Sequence, residues 1–532
     1  MICHNKHKTC WNCPAAVLKG NVDFRACGQT KEEIEQQAKD NPDMQVVITC
    51  KRRPSLGYFE PGITFEECPE YIETEYGYML RNMRVMILGI DGYLGWTLAL
   101  KLARLGCRVF GVDNFLRRDM VSEKGSHTGI PICRMTERLR VAASYGLDID
   151  FRRIDIRDEI SKLREYLSEV KPESIIHYAE IPSAPYSMVD SYHALDVQDN
   201  NTLGTLGLLF AMKDIVPETC MIKLGTMGEY GAPLSGRPIF EGLFPADAVL
   251  EWDDRKWSLG GEMTPRNPAS FYHVGKVQDT YNVYEACRYW WLRSYDIMQG
   301  VIYGVSTDEL SMDKRLRTRF DFDEWFGTVI NRFVVQAVLG IPLTIYGKGE
   351  QIRGFIGLDD AMQCMIRLMV CPPEPGQYDV VNQVTAVYRI CDLAEAVAEV
   401  GEEFGLKVQV NRVSNPRVEP DRHPMEVVSK KLEGDFGLKA KVCLYDEIRR
   451  MMKVLLEPEV LQRLKDKQSV IAPVTRWNGE KKHCDLLEEY AAGSKQLDKE
   501  LKQQLDRMDG RGEELSSIEK KKQLEEDIVV SD

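Results

Sequence analysis

Long apolar runs are missing from this 532-residue chain: none reaches about 18 residues, although hydrophobic residues make up 44% of it. A membrane-spanning helix is therefore not expected. A soluble, multidomain protein is, with length for roughly two to four domains and enough apolar sequence for a large core. A basic surplus is missing too, since 69 Lys and Arg stand against 82 Asp and Glu, for a formal charge of −13. Proteins that bind nucleic acid generally display a basic face, so that partner is not expected and any anionic ligand must be met by local arginines. The 15 cysteines are an odd number, and Met1 opens no secretory leader, which argues against a disulfide framework. Nor does the start read as an organelle transit peptide, because Glu32, Glu33, Glu35, Asp40 and Asp43 place acid where such peptides avoid it. The expected compartment is the reducing cytoplasm, and no fixed-period repeat is evident.

Four regions follow along the chain. Residues 1–82 are an appended cysteine-rich module, in which Cys3, His4, His7, Cys10, Cys13 and Cys27 crowd together. The two-residue spacer of Cys10-Trp-Asn-Cys13 suits a metal chelate. Cys3, Cys10, Cys13 and Cys27 are thus candidate ligands for zinc or an iron–sulfur cluster, with free thiols in a docking segment as the alternative. From Met83 to about residue 305, strands such as Val85–Leu88, Val109–Val112, Ser174–His177 and Met221–Leu224 alternate with helix-length segments, among them Trp96–Leu105. That alternation predicts an α/β fold with a doubly wound parallel sheet. Residues 306–482, with a strand at Leu343–Tyr346 and a helix at Ile390–Phe404, are expected to form a smaller substrate lobe, although later segments can return to the sheet. From His483 to the end the chain is charged and helical in pattern, as in a coiled-coil arm or a partly disordered appendage.

The turn Gly89-Ile-Asp-Gly92-Tyr-Leu-Gly95 follows a strand, opens a helix and is succeeded by Asp113 at the end of the next strand. This context marks a dinucleotide site. Gly89 permits the tight turn, Gly92 lets backbone approach the pyrophosphate, and Gly95 allows close packing of helix on strand. A carboxylate at Asp113 accepts from the adenosine ribose and repels a 2′-phosphate, which favours NAD over NADP. Arg117 and Arg118 read as pyrophosphate or surface contacts. Asp155 either caps the adenine edge or is a turn residue. Farther on, Tyr272 and Lys276 stand four apart, a spacing that shares one helix face. The ammonium can lie beside the phenol and lower its pKa toward neutrality, so that a phenolate next to a nicotinamide takes the proton of a sugar hydroxyl as hydride leaves.

Several strings then resemble one family. They are Leu224-Gly-Thr-Met-Gly-Glu-Tyr-Gly231, Ser183-Ala-Pro-Tyr-Ser-Met188, Ser270-Phe-Tyr-His273, Gln299-Gly-Val-Ile-Tyr-Gly304, Arg319-Phe-Asp-Phe-Asp, Gln351-Ile-Arg-Gly354 and Asn415-Pro-Arg-Val-Glu419. Together they resemble the UDP-sulfoquinovose synthases, extended short-chain dehydrogenases that join sulfite to UDP-glucose, over about residues 83–480. The resemblance implies bound NAD, a UDP-sugar and sulfite as small-molecule substrates, and a homodimer. It makes Tyr272 the base at the C4 hydroxyl, Lys276 its partner, Thr226 a hydrogen bond to the same oxygen, and Gln351, Arg353 and Asn331 contacts for the nucleotide. His273, beside Tyr272 and near neutral in intrinsic pKa, is the candidate for proton transfer at C5 and C6, or else a packed or capping histidine. Glu229 and Tyr230 either orient the sugar or pack the loop.

Sugar 4,6-dehydratases of similar fold carry Asp-Glu directly after the active-site threonine, where this chain has Met227-Gly228. Neither can move a proton, so a plain dehydratase is disfavoured. A nucleotide-sugar 4-epimerase and a non-catalytic NAD- and nucleotide-sugar-binding protein stand as alternatives. The chain departs from the family at Ile181-Pro182, in place of Gln-Arg, at Gly275, and at His423-Pro-Met-Glu426. These positions cluster near the sugar and the incoming nucleophile.

Overall fold

The computed structural model describes residues 79–231, 237–415 and 425–471, with Arg417, Trp477 and two short antiparallel strands, Ala16–Leu18 and Ile48–Cys50. The candidate metal ligands Cys3, Cys10, Cys13 and Cys27 and the tail from His483 lie outside the described residues. Among the described residues, no cluster of three His, Cys, Asp or Glu side chains could hold a metal ion, and no helix is long and apolar enough to cross a membrane.

The strands used below are, in chain order, β1 (Arg84–Leu88), β2 (Arg108–Asp113), β3 (Ile149–Arg153), β4 (Ser174–His177), β5 (Cys220–Thr226), β6 (Arg293–Gln299), β7 (Val301–Tyr303), β8 (Leu343–Tyr346), β9 (Ile352–Gly357), β10 (Tyr378–Gln383), β11 (Ala386–Arg389) and β12 (Val410–Val413). Seven of them form one sheet in the order β10-β6-β5-β4-β1-β2-β3, all parallel. The central strands β1 and β4 are apolar and buried on both faces, whereas the edge strand β3 is largely exposed. Helix α1 (Tyr93–Arg104) is followed by α2 (Leu116–Glu123) and α3 (Met135–Ser144); along β1, Val85 and Ile87 enter the core under α1, whereas Met86 and Leu88 enter the opposite core. That second core is closed by α4 (Ile160–Val170), α5 (Gly204–Ile215) and α6 (Phe271–Trp290). Each fully buried aliphatic side chain there contributes about 1.5–3 kcal/mol. Helix α1 begins at Tyr93 rather than Trp96, because the glycine turn runs directly into its first turn and the Tyr93 hydroxyl is anchored on the Gly304 carbonyl at 2.6 Å.

A separate core joins α7 (Val329–Leu339), α9 (Ile390–Glu403) and α10 (Leu444–Leu455) around Phe320, Phe322, Phe333, Leu343 and Ile345. Two small sheets, β7-β9-β11 and β8-β12, belong to this part of the molecule. The chain does not stay there: α8 (Leu358–Val370) enters the core under α1, and β10 pairs with β6 at the sheet edge. Register places Leu88, Val112 and His177 side by side, with Lys223 next to His177. The segments that follow β1, β2, β4 and β5 therefore open on one rim, at the crossover between β1 and β4 where doubly wound sheets bind their ligands.

Candidate active site

A cavity of about 400 Å³ opens on this rim and is lined by Gly89, Gly92, Gly95, Asp113, Glu180, Thr226, Tyr272, His273, Lys276 and Asn331, among others. Its floor has no room for side chains. Gly89 has a φ of +85°, and a Cβ there would meet the Tyr178 carbonyl carbon at 2.6 Å, while a Cβ on Gly95 would lie 2.1 Å from the Gly89 carbonyl oxygen. Gly92 is the extended residue capping α1. Asp91, inside the turn, is buried and takes a bidentate bond from Arg118 (2.6 and 2.7 Å) and one from the fully buried Arg138 (2.9 Å). Arg138 also stacks on the Trp96 ring at 3.9 Å. Arg118 is thereby committed to holding the turn. Arg117 and Arg319 both bond to Asp321 and both line the cavity, and each has an Nη1 atom that is buried without a partner. Backbone left bare by glycine, beside guanidinium groups with unused donors, fits the pyrophosphate of a dinucleotide.

Asp113 accepts from the amides of Asp91 (2.8 Å) and Phe115 (2.7 Å). Burial, and then the Asp91 carboxylate, push its pKa up to about 6. Asp155 is placed differently from the adenine-capping expectation. Its carboxylate accepts from Asn114 (2.7 Å) and from the amides of Arg157 and Asp158, and it does not line the cavity. These bonds close the turn after β3 on the Asp155 carboxylate.

The candidate reacting groups come from two elements, α6 and β5. Helix α6 starts at Ser270, whose Oγ accepts from the His273 amide at 3.2 Å, and it presents Tyr272 and Lys276 to the cavity one turn apart. Thr226 ends β5, and its Oγ1 accepts from the Gly228 amide at 3.1 Å. Lys276 is not bonded to Tyr272. Its ammonium is held by the Glu180 carboxylate and the Leu224 carbonyl. The expected lowering of the phenol pKa is accordingly reversed in the free protein: burial pushes it up, with the Glu180 and Glu229 carboxylates next. Glu180 was not anticipated from the sequence; its one signal is an acid three residues past the end of a buried strand.

His273 keeps its Nδ1 at 2.9 Å from Ser270 Oγ. Its ring occupies the space above Gly228, where a Cβ would lie 2.1 Å from Nε2. Burial, then Arg417 and Arg353, pull its pKa down to about 3, so the imidazole is neutral near pH 7. Gly228, at the position of the dehydratase glutamate, thus leaves the space that the His273 ring fills.

Glu229 and Tyr230 are the two corrections on this loop, since neither faces the cavity. Glu229 is fully buried beneath it, accepting from the Thr226 amide (3.3 Å) and from Thr280 (2.9 Å). Burial, opposed by Lys223, brings its pKa up to about 7. The Tyr230 hydroxyl donates to Asn382 Oδ1 and accepts from the Gly242 amide, both at 3.0 Å, and Arg266 stacks on its ring. Both pack the loop rather than orient a sugar.

Asn331 lines the main cavity with its Oδ1 unpartnered. Gln351 and Arg353 line an adjoining cavity of about 230 Å³ with Arg332, Tyr346 and Arg417, and Pro182, Val301 and Phe326 are common to both spaces. The two cavities make one extended cleft.

Residues 85–246 match the NAD dependent epimerase/dehydratase family. UDP-sulfoquinovose synthase of Sulfolobus acidocaldarius is 40% identical over 74% of this chain and 98% of its own length. The chloroplastic UDP-sulfoquinovose synthase of Spinacia oleracea is also 40% identical, over 67% of this chain and 72% of its own length. Among solved structures, UDP-glucuronic acid 4-epimerase of Bacillus cereus (TM-score 0.51, 19% identity, 71% and 99% of the two chains) and epimerase Mth375 of Methanothermobacter thermautotrophicus (0.54, 15%, 75% and 99%) share the fold. At 40% identity to two synthases, one matched over nearly its whole length, the chain belongs to the UDP-sulfoquinovose synthase family.

Proposed function

We propose that this enzyme converts UDP-glucose and sulfite to UDP-6-sulfoquinovose, with NAD held on the glycine turn and restored in each cycle. When bound, the dinucleotide supplies a hydride acceptor at C4 and later the hydride donor. The observation that carries the reading is the convergence of Tyr272, Lys276, Thr226 and His273 on one cavity, with Met227 and Gly228 where a dehydratase places its aspartate and glutamate.

Tyr272 takes the C4 hydroxyl proton. Because Thr226 Oγ1 already accepts from the Gly228 amide, its own proton is free to donate to the same sugar oxygen. The 4-ketone acidifies the C5 hydrogen. Loss of that proton and of the C6 hydroxyl leaves an enone, sulfite adds at C6, and Tyr272 returns its proton as C4 is reduced. His273 is assigned the proton transfers at C5 and C6: Ser270 occupies Nδ1, and Nε2 lies at the Gly228 side. Asn331, Gln351 and Arg353 are assigned to the UDP end, where a planar guanidinium suits phosphate oxygens.

The test is incubation with UDP-glucose in deuterated water. The C5 position should exchange without sulfite, and a sulfonated product should form when sulfite is added, both read by mass spectrometry. Formation of UDP-galactose without C5 exchange would select a 4-epimerase instead. A homodimer is proposed as well, supported by the exposed Phe210 of α5 and Tyr281 and Tyr289 of α6, and a monomer in sedimentation would refute it.

A further inference from the structure

Glu180 lines the reaction cavity between β4 and α6, with its side chain 6% exposed. One carboxylate oxygen holds the Lys276 ammonium. The other, Oε1, has no hydrogen-bond partner among the described residues and lies 3.7 Å from His177 Nε2. We infer that Glu180 is a positioning residue that sets the acidity of Tyr272 by engaging the Lys276 ammonium. The inference rests on the reading of Tyr272 as the group that exchanges the C4 proton.

The surrounding charges leave this role to Glu180. On β4, His177 is pulled down to about 4 by burial and is neutral. On α6, Asp279 has both carboxylate oxygens buried and unpartnered, makes no contact with Lys276, and is pushed by burial well above the usual carboxylate range. Lys223 of β5 lies 3.3 Å from Asp296 of β6 and 3.9 Å from Glu229, and those carboxylates answer its charge. Glu180 is therefore the carboxylate in contact with Lys276. Burial alone would lower the Lys276 pKa; Glu180 is the largest of the influences that raise it instead, and the same carboxylate is the largest charge effect opposing ionisation of Tyr272.

The consequence suits a closed cycle. A phenol that only had to remove a proton would benefit from a strongly lowered pKa. One that must also return the proton at the end works best with a pKa not far from the ambient pH. An uncompensated ammonium pushes toward the first case, and the Glu180 carboxylate opposes that push.

The experiment uses the full NAD-loaded protein without sugar and follows the near-ultraviolet tyrosinate band against pH. Subtracting the Tyr272→Phe curve isolates the one phenol. In Glu180→Gln, with Glu180→Gln/Tyr272→Phe as its blank, this phenol should ionise about 1–2 pH units lower, the usual effect of one nearby charge. Glu180→Asp, which keeps the charge, should titrate close to wild type. Single-turnover NADH formation with UDP-glucose should show the same displacement of its pH inflection, with a gain of up to about tenfold per unit on the acid limb. An ionisation in Glu180→Gln that is no lower than in wild type overturns the inference. A shifted phenol in a protein that forms no NADH from any UDP-sugar upholds it and sinks the proposed reaction instead.

Discussion

Gly228→Ala should separate the two halves of the proposed cycle. Gly228 does not adopt a left-handed conformation, so alanine meets no backbone strain, and the whole effect is steric. Its Cβ would lie 2.1 Å from His273 Nε2, 2.3 Å from Cδ2 and 3.0 Å from Cε1. Carbon and nitrogen prefer about 3.5 Å or more, so the ring must retreat by more than about 1 Å. It is tethered at the first turn of α6 and by the 2.9 Å contact with Ser270. A movement of that size breaks the contact, at about 1 kcal/mol, in addition to an overpacking cost of about 1–3 kcal/mol. The protein should remain folded, bind NAD and form NADH from UDP-glucose within a few-fold of wild type, because Tyr272, Lys276 and Thr226 are untouched. Exchange at C5 in deuterated water should fall by about 10²–10⁴-fold, the usual worth of a positioned general acid or base. Stopped-flow absorbance and mass spectrometry on one sample give both rates. If C5 exchange survives at the wild-type rate, or if both rates fall together, the assignment of His273 to the C5 and C6 steps is wrong.

Tyr272→Phe removes one hydroxyl at constant packing volume, so NADH formation should be lost with little change in thermal unfolding; activity within a few-fold of wild type would make the Tyr/Lys pair structural. His273 has a depressed folded pKa of about 3 against an unfolded value near 6.5, so the folded state binds fewer protons between these values. Stability then falls as the pH drops from about 6.5 to 3. His273→Gln should remove part of that acid loss, about 2–3 kcal/mol after discounting for the ring's partial exposure, as read by denaturant titration at pH 4 and pH 7. Tyr230→Phe deprives Asn382 and the Gly242 amide of a shared hydroxyl and should cost about 1–3 kcal/mol while leaving the Michaelis constant for UDP-glucose unchanged. A raised Michaelis constant would return Tyr230 to the sugar site.

The chain's local rules were enough for much of this. Strand and helix periodicity, the spacing Gly89-Gly92-Gly95, Asp113 at a strand end and the i,i+4 pair Tyr272/Lys276 are short-range patterns. They were legible because each obeys backbone geometry or helix pitch within one or two elements. The family strings extended that reading to the substrate, since they preserve residue combinations without showing how those residues meet. What the sequence alone left undecided depends on distance along the chain. Glu180 reaches Lys276 across 96 residues, and no local pattern signals that the ammonium is engaged before any ligand arrives. Glu229 and Tyr230 sit on the predicted loop, but the direction of each side chain is set by buried partners elsewhere, Thr280 for one and Asn382 for the other. Strand β10 returns to the sheet edge because β6 offers it an unpaired hydrogen-bonding side, a pairing between segments far apart in the chain that no local pattern signals. The sequence by itself determined the sheet and the glycine turn and singled out the candidate reacting side chains, because these follow from neighbours in the chain. The tertiary structure decided which of those side chains face the cavity and in what charge state, because burial and long-range contacts control both.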